Sequence, residues 1–195
     1  SEMCIRDSLL SSRVTAQMLM RRQEERYAAN YDALTGLKNR RAILAALHRH
    51  FALAKRTGQG VLVAFIDLDE FKAINDTYGH EVGDQFLIEG SRRLQGGLRA
   101  TDELGRWGGD EFVVIGLTAS VHPGEMAQTV SAMRRRLAPL LIGSYEFDEC
   151  RFNYSGASIG ITSVDPSATS LQAALKAADQ LMYADKEVRR GLRGA

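Results

Sequence analysis

Three things are scarce in this sequence of 195 residues, and each absence argues against a class of protein. The two cysteines, Cys4 and Cys150, form no CxxC pair, so neither a disulfide framework nor a cysteine-ligated zinc site is expected. No run reaches the ~18 apolar residues of a membrane-spanning helix, and the first residues do not follow a signal-peptide pattern. The 25 basic and 24 acidic side chains nearly cancel, so nothing indicates a nucleic-acid partner or a polybasic membrane surface. We therefore expect a soluble protein of the reducing cytoplasm.

The chain is expected to form one domain with an N-terminal extension. Apolar residues make up 45% of the sequence, which is enough for one substantial core, and a second full domain would not fit. Residues 31–195 are assigned to this domain. Residues 1–30 are predicted to be a helical stalk or linker, because they are polar, carry the charged run RRQEER and show only a broken apolar spacing. The first residues, SEMCIRDS, follow no structural pattern.

Apolar spacing predicts the order helix, strand, two helices, two strands, helix, strand, helix. The stretch RRAILAALHRHFALAKR has helical spacing, whereas residues 61–66, VLVAFI, form a continuous apolar run of the kind that is buried on both faces of a sheet. One strand region is predicted from Tyr145 onward, and the stretch IGSYEFDECRFN leaves its strand ends open. This order favours an α+β architecture in which helices cover a mixed, mainly antiparallel sheet.

Two acidic pairs stand next to predicted strands. Asp67 and Asp69 follow the buried strand, and Asp110 and Glu111 follow a Gly-Gly turn that precedes another strand. Alone, the second pair is as typical of a solvated hairpin tip as of a functional site. If the two pairs meet at one sheet edge, their oxygen atoms favour Mg²⁺ or Mn²⁺, and Mg²⁺ usually completes its shell with substrate phosphates. A nucleoside triphosphate fits this pattern, although the sequence has neither a P-loop nor a GxGxxG motif after a strand.

Five motifs, spread over residues 32–191, occur in order: DALTGLKNR, FIDLDEFKAINDTYGHEVGD, GGDEF, ASIGIT and ADQLMYADKEVRRG. Together they resemble the GGDEF-domain diguanylate cyclases. The resemblance implies the palm-like nucleotide-cyclase fold, with a central, mainly antiparallel sheet flanked by helices. It implies a reaction in which two GTP molecules are joined into cyclic di-GMP with release of two pyrophosphates. Because each protomer holds one GTP, it further implies a homodimer, with two Mg²⁺ or Mn²⁺ ions per active site.

The resemblance also assigns roles to individual residues. Metal binding is implied for three carboxylates and one backbone carbonyl, those of Asp67, Asp110, Glu111 and Leu68. Catalytic roles are implied for Asp110, Glu111 and Lys72. Asp110 would also activate the attacking 3′-hydroxyl and Lys72 would stabilise charge in the transition state, while the identity of the general base stays open.

Substrate contacts are implied for a second set, namely Asn75, His80, Asp84, Gly108, Gly109, Lys186 and Arg190. Asn75 and Asp84 would read the guanine base. Lys186 and Arg190 are one helical turn apart and would reach the terminal phosphates. Less specific interpretations remain, because Arg190 is also typical of a solvated helix face and His80 of a packed or capping residue.

Two acids outside this set have their own interpretations. For Asp69 we expect a capping role before the helix that begins EFKAIN. The stretch RATD resembles the family's inhibitory product site, in which Arg99 and Asp102 would bind cyclic di-GMP through an arginine fork. The alternative for RATD is an exposed ion pair at the end of a helix.

Two further functions stay open beside an active cyclase. One is a catalytically silent module that binds GTP or cyclic di-GMP and regulates another protein, although no acid of the signature is lost. The other is a cyclase that makes a mixed guanine–adenine dinucleotide. Because such domains usually follow a sensor, the resemblance implies an N-terminal sensor domain, and this chain would then be the cytoplasmic portion of a longer sensor protein.

Overall fold

The structure, a computed structural model, describes residues 17–22, 24, 25, 27–147 and 150–193. The helices are α1 (Arg40–Thr57), α2 (Phe71–Tyr78), α3 (His80–Gly96), α4 (Pro123–Leu137) and α5 (Leu171–Arg193). The strands are β1 (Val61–Leu68), β2 (Glu103–Gly108), β3 (Glu111–Leu117), β4 (Gly143–Phe147), β5 (Cys150–Tyr154) and β6 (Ala157–Val164). Within the segment predicted as a stalk, residues 17–22, 24, 25 and 27–30 are helical, and residues 1–16, 23 and 26 lie outside the described residues.

The central sheet has the strand order β2-β3-β1-β6, and each of its pairings is antiparallel. All residues of β1 are buried because its two faces meet different helices. Leu62 and Ile66 belong to a core that includes residues of α3 and α4, while Val63 and Phe65 belong to a second core that includes residues of α1 and α5. This alternation follows the period of a strand. It confirms the predicted strand buried on both faces, and the α+β fold with a mainly antiparallel sheet is confirmed with it.

The region from Tyr145 onward contains more strands than the sequence pattern predicts. β4 and β5 pair with each other as a separate two-stranded sheet, and only β6 joins the central sheet. Aromatic packing holds this hairpin, since the ring of Tyr145 lies 5.8 Å from that of Phe152 and 4.7 Å from that of Phe86 in α3. The prediction of one strand here was wrong, because strands of five residues are too short to give a clear alternation.

Helix α5 crosses β6 at close range because residue 160 is glycine. A side-chain carbon at Gly160 would collide with the backbone of Ala178 and Met182. The C-terminal half of α5 therefore reaches the end of β1, where Lys186 contacts Asp67. Within the described ranges, every helix is too short or too polar to span a bilayer.

Candidate active site

The two acidic pairs meet at one end of the central sheet. Strands β1 and β3 are antiparallel neighbours, and their register places Asp67 opposite Glu111. The amide of Leu68 donates a 3.1 Å hydrogen bond to the carbonyl of Asp110, which fastens the Gly-Gly turn to the end of β1. Asp67 is 6% exposed, so its carboxylate lies among packed atoms rather than in bulk water. The sheet thus brings the segments that carry the predicted metal ligands to the same strand end.

An arginine that the sequence analysis did not single out fixes the Gly-Gly turn. Arg106 of β2 donates from Nε and Nη2 to the carbonyl of Gly109, at 2.9 and 2.7 Å. Its Nη1 donates to Asp32 at 3.0 Å, which ties the turn to the segment before α1. Burial alone would raise the pKa of Asp32, but hydrogen bonds from Thr35 and Arg106 hold that pKa below its ordinary value. The available signal was the arginine two positions before the glycines in RWGGDEF.

Two basic residues of α5, Lys186 and Arg190, line a cavity beside the acids. Lys186 Nζ lies 2.7 Å from Oδ1 of Asp67, in an ion pair between residues 119 positions apart. Arg190, one turn further along, pairs with Glu187 at 3.1 Å, and its side chain is 62% exposed. The cavity has a volume of about 300 Å³ and is lined by Leu68, Asp69, Glu70, Phe71, Lys72, Asp110, Lys186 and Arg190.

The pKa values of the acidic side chains are shifted because these side chains lie close together in a partly buried environment. Burial raises the pKa of the Asp110 carboxyl above its ordinary value, and the negative charge of Asp67 raises it further. Burial likewise raises the pKa of Glu111, with additional contributions from the charges of Asp67 and Asp110. The positive charge of Lys186 opposes both shifts without cancelling them. The site therefore carries an excess of negative charge that favours a cation.

The donor chemistry of these residues fits a hard divalent cation. Asp67, Asp110 and Glu111 offer carboxylate oxygens, and Leu68 adds a backbone carbonyl at the same strand end. In the part of the chain that the structure describes, no three His, Cys, Asp or Glu side chains form a group that could hold a metal ion by themselves. Oxygen atoms of the backbone and of a phosphate ligand would therefore have to complete the coordination shell.

Asp69 does not cap helix α2, so the predicted capping role is wrong. The N-cap position is Glu70, which has φ 59° and makes no side-chain capping hydrogen bond. The Asp69 carboxylate instead accepts hydrogen bonds from Ser158 Oγ at 2.5 Å and from Arg189 Nε at 2.6 Å. These partners lie 89 and 120 positions further along the chain, so no local sequence pattern could have revealed them.

Comparison with known proteins identifies the family. A family model described as diguanylate cyclase, GGDEF domain, matches residues 29–191. The chain belongs to the GGDEF family. Over 156 residues it is 44% identical to the diguanylate cyclase DgcP of Escherichia coli, which covers 80% of this chain and 44% of DgcP. Over 162 residues it is 36% identical to the probable diguanylate cyclase DgcC of Escherichia coli, which covers 82% of this chain and 41% of DgcC. The GGDEF chain thus spans less than half the length of these curated relatives.

Solved structures of GGDEF proteins share the fold. The coiled coil and GGDEF domain of DgcB from Caulobacter crescentus, crystallised in complex with c-di-GMP, matches with a TM-score of 0.77 at 26% identity, covering 94% of each chain. The diguanylate cyclase SiaD from Pseudomonas aeruginosa, crystallised in complex with its activator SiaC, matches with a TM-score of 0.72 at 30% identity, covering 93% of this chain and 67% of that of SiaD. These similarities confirm the resemblance that the motifs indicate.

In this GGDEF domain the two residues predicted to read the guanine base, Asn75 and Asp84, lie outside the wall of the cavity, as does the neighbouring His80. Asn75 is half-buried on α2. Its Oδ1 packs so closely against Gly83 of α3 that a side-chain carbon at position 83 would collide with it. His80 begins α3 and Asp84 lies one turn later, and both are exposed. Because His80 is exposed and the N-cap of α3 is Gly79, the packed and capping interpretations of His80 are not supported. Guanine recognition by Asn75 and Asp84, and substrate contact by His80, stay predictions.

The RATD motif of the GGDEF domain lies between α3 and β2. The amide of Arg99 donates to the Asp102 carboxylate at 2.9 Å, and the same carboxylate pairs with Arg136 of α4 at 3.1 Å. Arg99 is exposed and lines two cavities, of about 340 and 500 Å³. The acid of the motif is therefore held by an arginine from another helix. Arg136 lies in the run RRR at the end of α4, and the sequence does not single it out because only the fold decides which of the three arginines meets Asp102.

Proposed function

We propose that this chain is a diguanylate cyclase that joins two GTP molecules into cyclic di-GMP and releases two pyrophosphates. The observation that carries the proposal is the pairing of Asp67 with Glu111 in adjacent strands, beside an intact GGDEF turn and within reach of Lys186. Membership of the GGDEF family and the 44% identity to a diguanylate cyclase support it.

Two Mg²⁺ or Mn²⁺ ions are proposed for each active site, held by Asp67, Asp110, Glu111 and the carbonyl of Leu68. The all-oxygen donor set at the end of β1 supports this choice of metal. When bound, such ions offset charge on the triphosphate and lower the proton affinity of the attacking 3′-hydroxyl. Asp110, on the turn beside the cavity, is proposed to orient that hydroxyl, and either Asp110 or Glu111 would accept its proton.

Basic residues around the cavity are proposed to bind the triphosphate and offset its negative charge. Lys186 neutralises Asp67 at 2.7 Å, and it would turn to the terminal phosphates when substrate is bound. Arg190 lines the same cavity and is largely exposed, so it can meet a phosphate with little rearrangement. Lys72 of α2 would stabilise the charge that develops in the transition state.

Recognition of GTP is proposed to involve the glycine turn and the corner between α2 and α3. A side-chain carbon at Gly108 or Gly109 would meet nothing within 4 Å, which leaves space for the triphosphate to approach the backbone. The Asn75 amide oxygen and the Asp84 carboxylate would accept hydrogen bonds from N1–H and the N2 amino group of guanine, with His80 beside them. Both helices end or begin at this corner, which supports a shared binding surface.

Three parts of the proposal concern assembly and control. Catalysis is proposed to need a homodimer, because the 3′-oxygen of one GTP must reach the α-phosphorus of the other. Product inhibition is proposed at Arg99 and Asp102, together with Arg136, because charged donors line two cavities there.

Residues 31–195 are proposed as the catalytic domain, and the helical residues before them as a link to an N-terminal sensor. The coiled coil crystallised with the GGDEF domain of DgcB supports this link.

A silent binding module is the second candidate function. The chain is 46% identical over 90 residues to the cyclic di-GMP phosphodiesterase NbdA of Pseudomonas aeruginosa, in which those residues make up 12% of the protein. A similar segment thus occurs in a protein named for breaking cyclic di-GMP down. Sequence similarity alone therefore does not separate synthesis of the dinucleotide from its regulation.

The deciding experiment incubates the purified protein with GTP and Mg²⁺, with and without ATP, and identifies the products by chromatography. Formation of cyclic di-GMP that is lost in Asp67→Asn and kept in the exposed control Lys176→Met would support the cyclase. A mixed dinucleotide after addition of ATP would show relaxed base choice. GTP binding without any dinucleotide, at every protein concentration, would overturn the proposal in favour of the silent module.

The homodimer has a separate test. Specific activity should fall when the protein is diluted through the monomer–dimer transition, located by analytical ultracentrifugation, because one protomer holds only half of the reacting atoms. A specific activity that stays constant across this transition would show that one protomer is sufficient.

A further inference from the structure

Helix α5 is fastened to the end of β1 by two neighbouring ion pairs. Lys186 meets Asp67 at 2.7 Å, and Arg189, three residues further along, meets Asp69 at 2.6 Å. Residues three apart on a helix share a face, and Asp69 is the first residue after β1, two positions beyond Asp67. The Lys186–Asp67 pair belongs to the proposed active site. The proposed reaction assigns no role to the Arg189–Asp69 pair.

The second ion pair is deeply buried at its acidic end. The side chain of Asp69 is 3% exposed, and it also accepts the hydroxyl of Ser158 of β6 at 2.5 Å. Arg189 additionally donates from Nη2 to the carbonyl of Ser155 at 3.1 Å. One arginine thus joins α5 to the end of β1 and to the connection between β5 and β6. Because the Asp69 carboxylate is buried, the contact is not an incidental surface pair. Removal of Arg189 should be destabilising, since it would leave a buried negative charge without its arginine.

The connection between β5 and β6 is shaped around this arginine. Gly156 has φ 115°, a conformation that side chains other than glycine rarely adopt. A side-chain carbon at Gly156 would also lie 3.1 Å from Nη2 of Arg189, which is tighter than ordinary van der Waals contact. Glycine therefore supplies both the backbone conformation and the space for the guanidinium, and three segments of the chain build the site of Arg189.

We propose that Arg189 is a positioning residue that holds the C-terminal half of α5 over the cavity and thereby aims Lys186 and Arg190 at a triphosphate. This inference rests on the proposed function. If Lys186 leaves Asp67 for the terminal phosphates, its ion pair no longer ties α5 to β1, whereas the pair of Arg189 with Asp69 remains in place. Arg190 is the next residue along the helix, so any shift of Arg189 displaces it as well.

The test measures the binding of a non-hydrolysable GTP analogue with Mg²⁺ by calorimetry, at a temperature where every variant is folded, and the kinetics of dinucleotide formation. Arg189→Met should raise the dissociation constant of the analogue about tenfold, equivalent to about 1.4 kcal/mol. The KM for GTP should change more than kcat. Arg189→Lys keeps the positive charge and should recover part of the affinity, while Lys176→Met, exposed on the same helix, should bind as wild type does.

Thermal unfolding without nucleotide separates positioning from simple stabilisation. If Arg189→Met lowers only the unfolding midpoint and binds the analogue with wild-type affinity, the inference is wrong. If that variant does not fold, Asp69→Asn combined with Arg189→Met leaves no unpaired buried charge, and wild-type affinity in this double variant would equally overturn it. A wild-type protein that binds the analogue but makes no dinucleotide would refute the cyclase alone, since a tenfold loss of affinity in Arg189→Met would still support positioning.

Discussion

Arg106 offers a direct test of how the GGDEF turn is held in place. Replacement by alanine removes the hydrogen bonds of 2.9 and 2.7 Å to the Gly109 carbonyl and the 3.0 Å ion pair with Asp32. The side chains of Arg106 and Asp32 are 15% and 24% exposed, so solvent screens their interaction only in part. Asp32 keeps two hydrogen bonds from Thr35, at 2.9 and 2.7 Å, and is not left without donors in the variant.

The size of the effect follows from these contacts. A hydrogen bond that involves a charged group contributes ~1.5–3 kcal/mol, and a partly exposed ion pair adds up to ~1 kcal/mol. We therefore expect Arg106→Ala to lower the free energy of unfolding by ~2–3 kcal/mol and the thermal midpoint by ~5–10 °C. Because the loosened turn carries Asp110 and Glu111, the rate of dinucleotide formation should fall ~10–100-fold.

Urea unfolding followed by circular dichroism measures the stability, and initial rates under fully folding conditions measure the turnover. Arg106→Lys keeps the charge but loses the planar fork, so it should recover little of the turnover. Arg49→Ala is the matched control, because Arg49 is 63% exposed and contacts Glu103 at 3.4 Å. It should stay within ~0.5 kcal/mol of wild type. An Arg106→Ala protein with the stability and turnover of wild type would refute the reasoning.

Three further outcomes are expected. Asp67→Asn and Glu111→Gln should each abolish dinucleotide formation, measured by chromatography, with an unchanged circular dichroism spectrum; near-wild-type rates at saturating Mg²⁺ would mean that the metal ligands lie elsewhere. Arg99→Ala should raise the inhibition constant of cyclic di-GMP ~10–100-fold, since a charge-assisted hydrogen bond is worth ~1.5–3 kcal/mol, and unchanged progress curves with added product would reduce RATD to a surface motif. A hydrogen bond from Arg92 lowers the pKa of Glu89 from 4.5 to about 2. This depressed pKa stabilises the fold above pH 4.5 and the contribution is lost as pH falls towards 2, so the difference in urea stability between wild type and Glu89→Gln should shrink across that window; a difference independent of pH would contradict the assignment.

Features that depend on neighbouring residues were predictable from the sequence. The apolar run of β1 predicts a strand buried on both faces, because no position in it offers a polar side to water, and all of β1 is buried. The order of the five motifs predicts the GGDEF family and its α+β fold. The acids could be nominated as well, since Asp67 ends an apolar run and Glu111 follows a glycine turn. Each of these signals lies within a short stretch of the chain, so it can be recognised without knowing the fold. The brief strands β4 and β5 lack a clear signal of this kind, and their pairing was not predicted.

Only the tertiary structure decided which charges meet. Lys186 pairs with Asp67, which lies 119 positions earlier in the chain. The local pattern predicts a helix cap for Asp69, but its carboxylate pairs with Arg189, 120 positions later. The choice of Arg136 within RRR was equally invisible in the sequence. An ion pair forms within about 4 Å, and that distance depends on how closely α5 packs on β6 and how α4 is rotated against the sheet. The sequence therefore determined which groups are charged and where the long apolar strand β1 forms, while the packing of helices on the sheet determined which charged groups become partners.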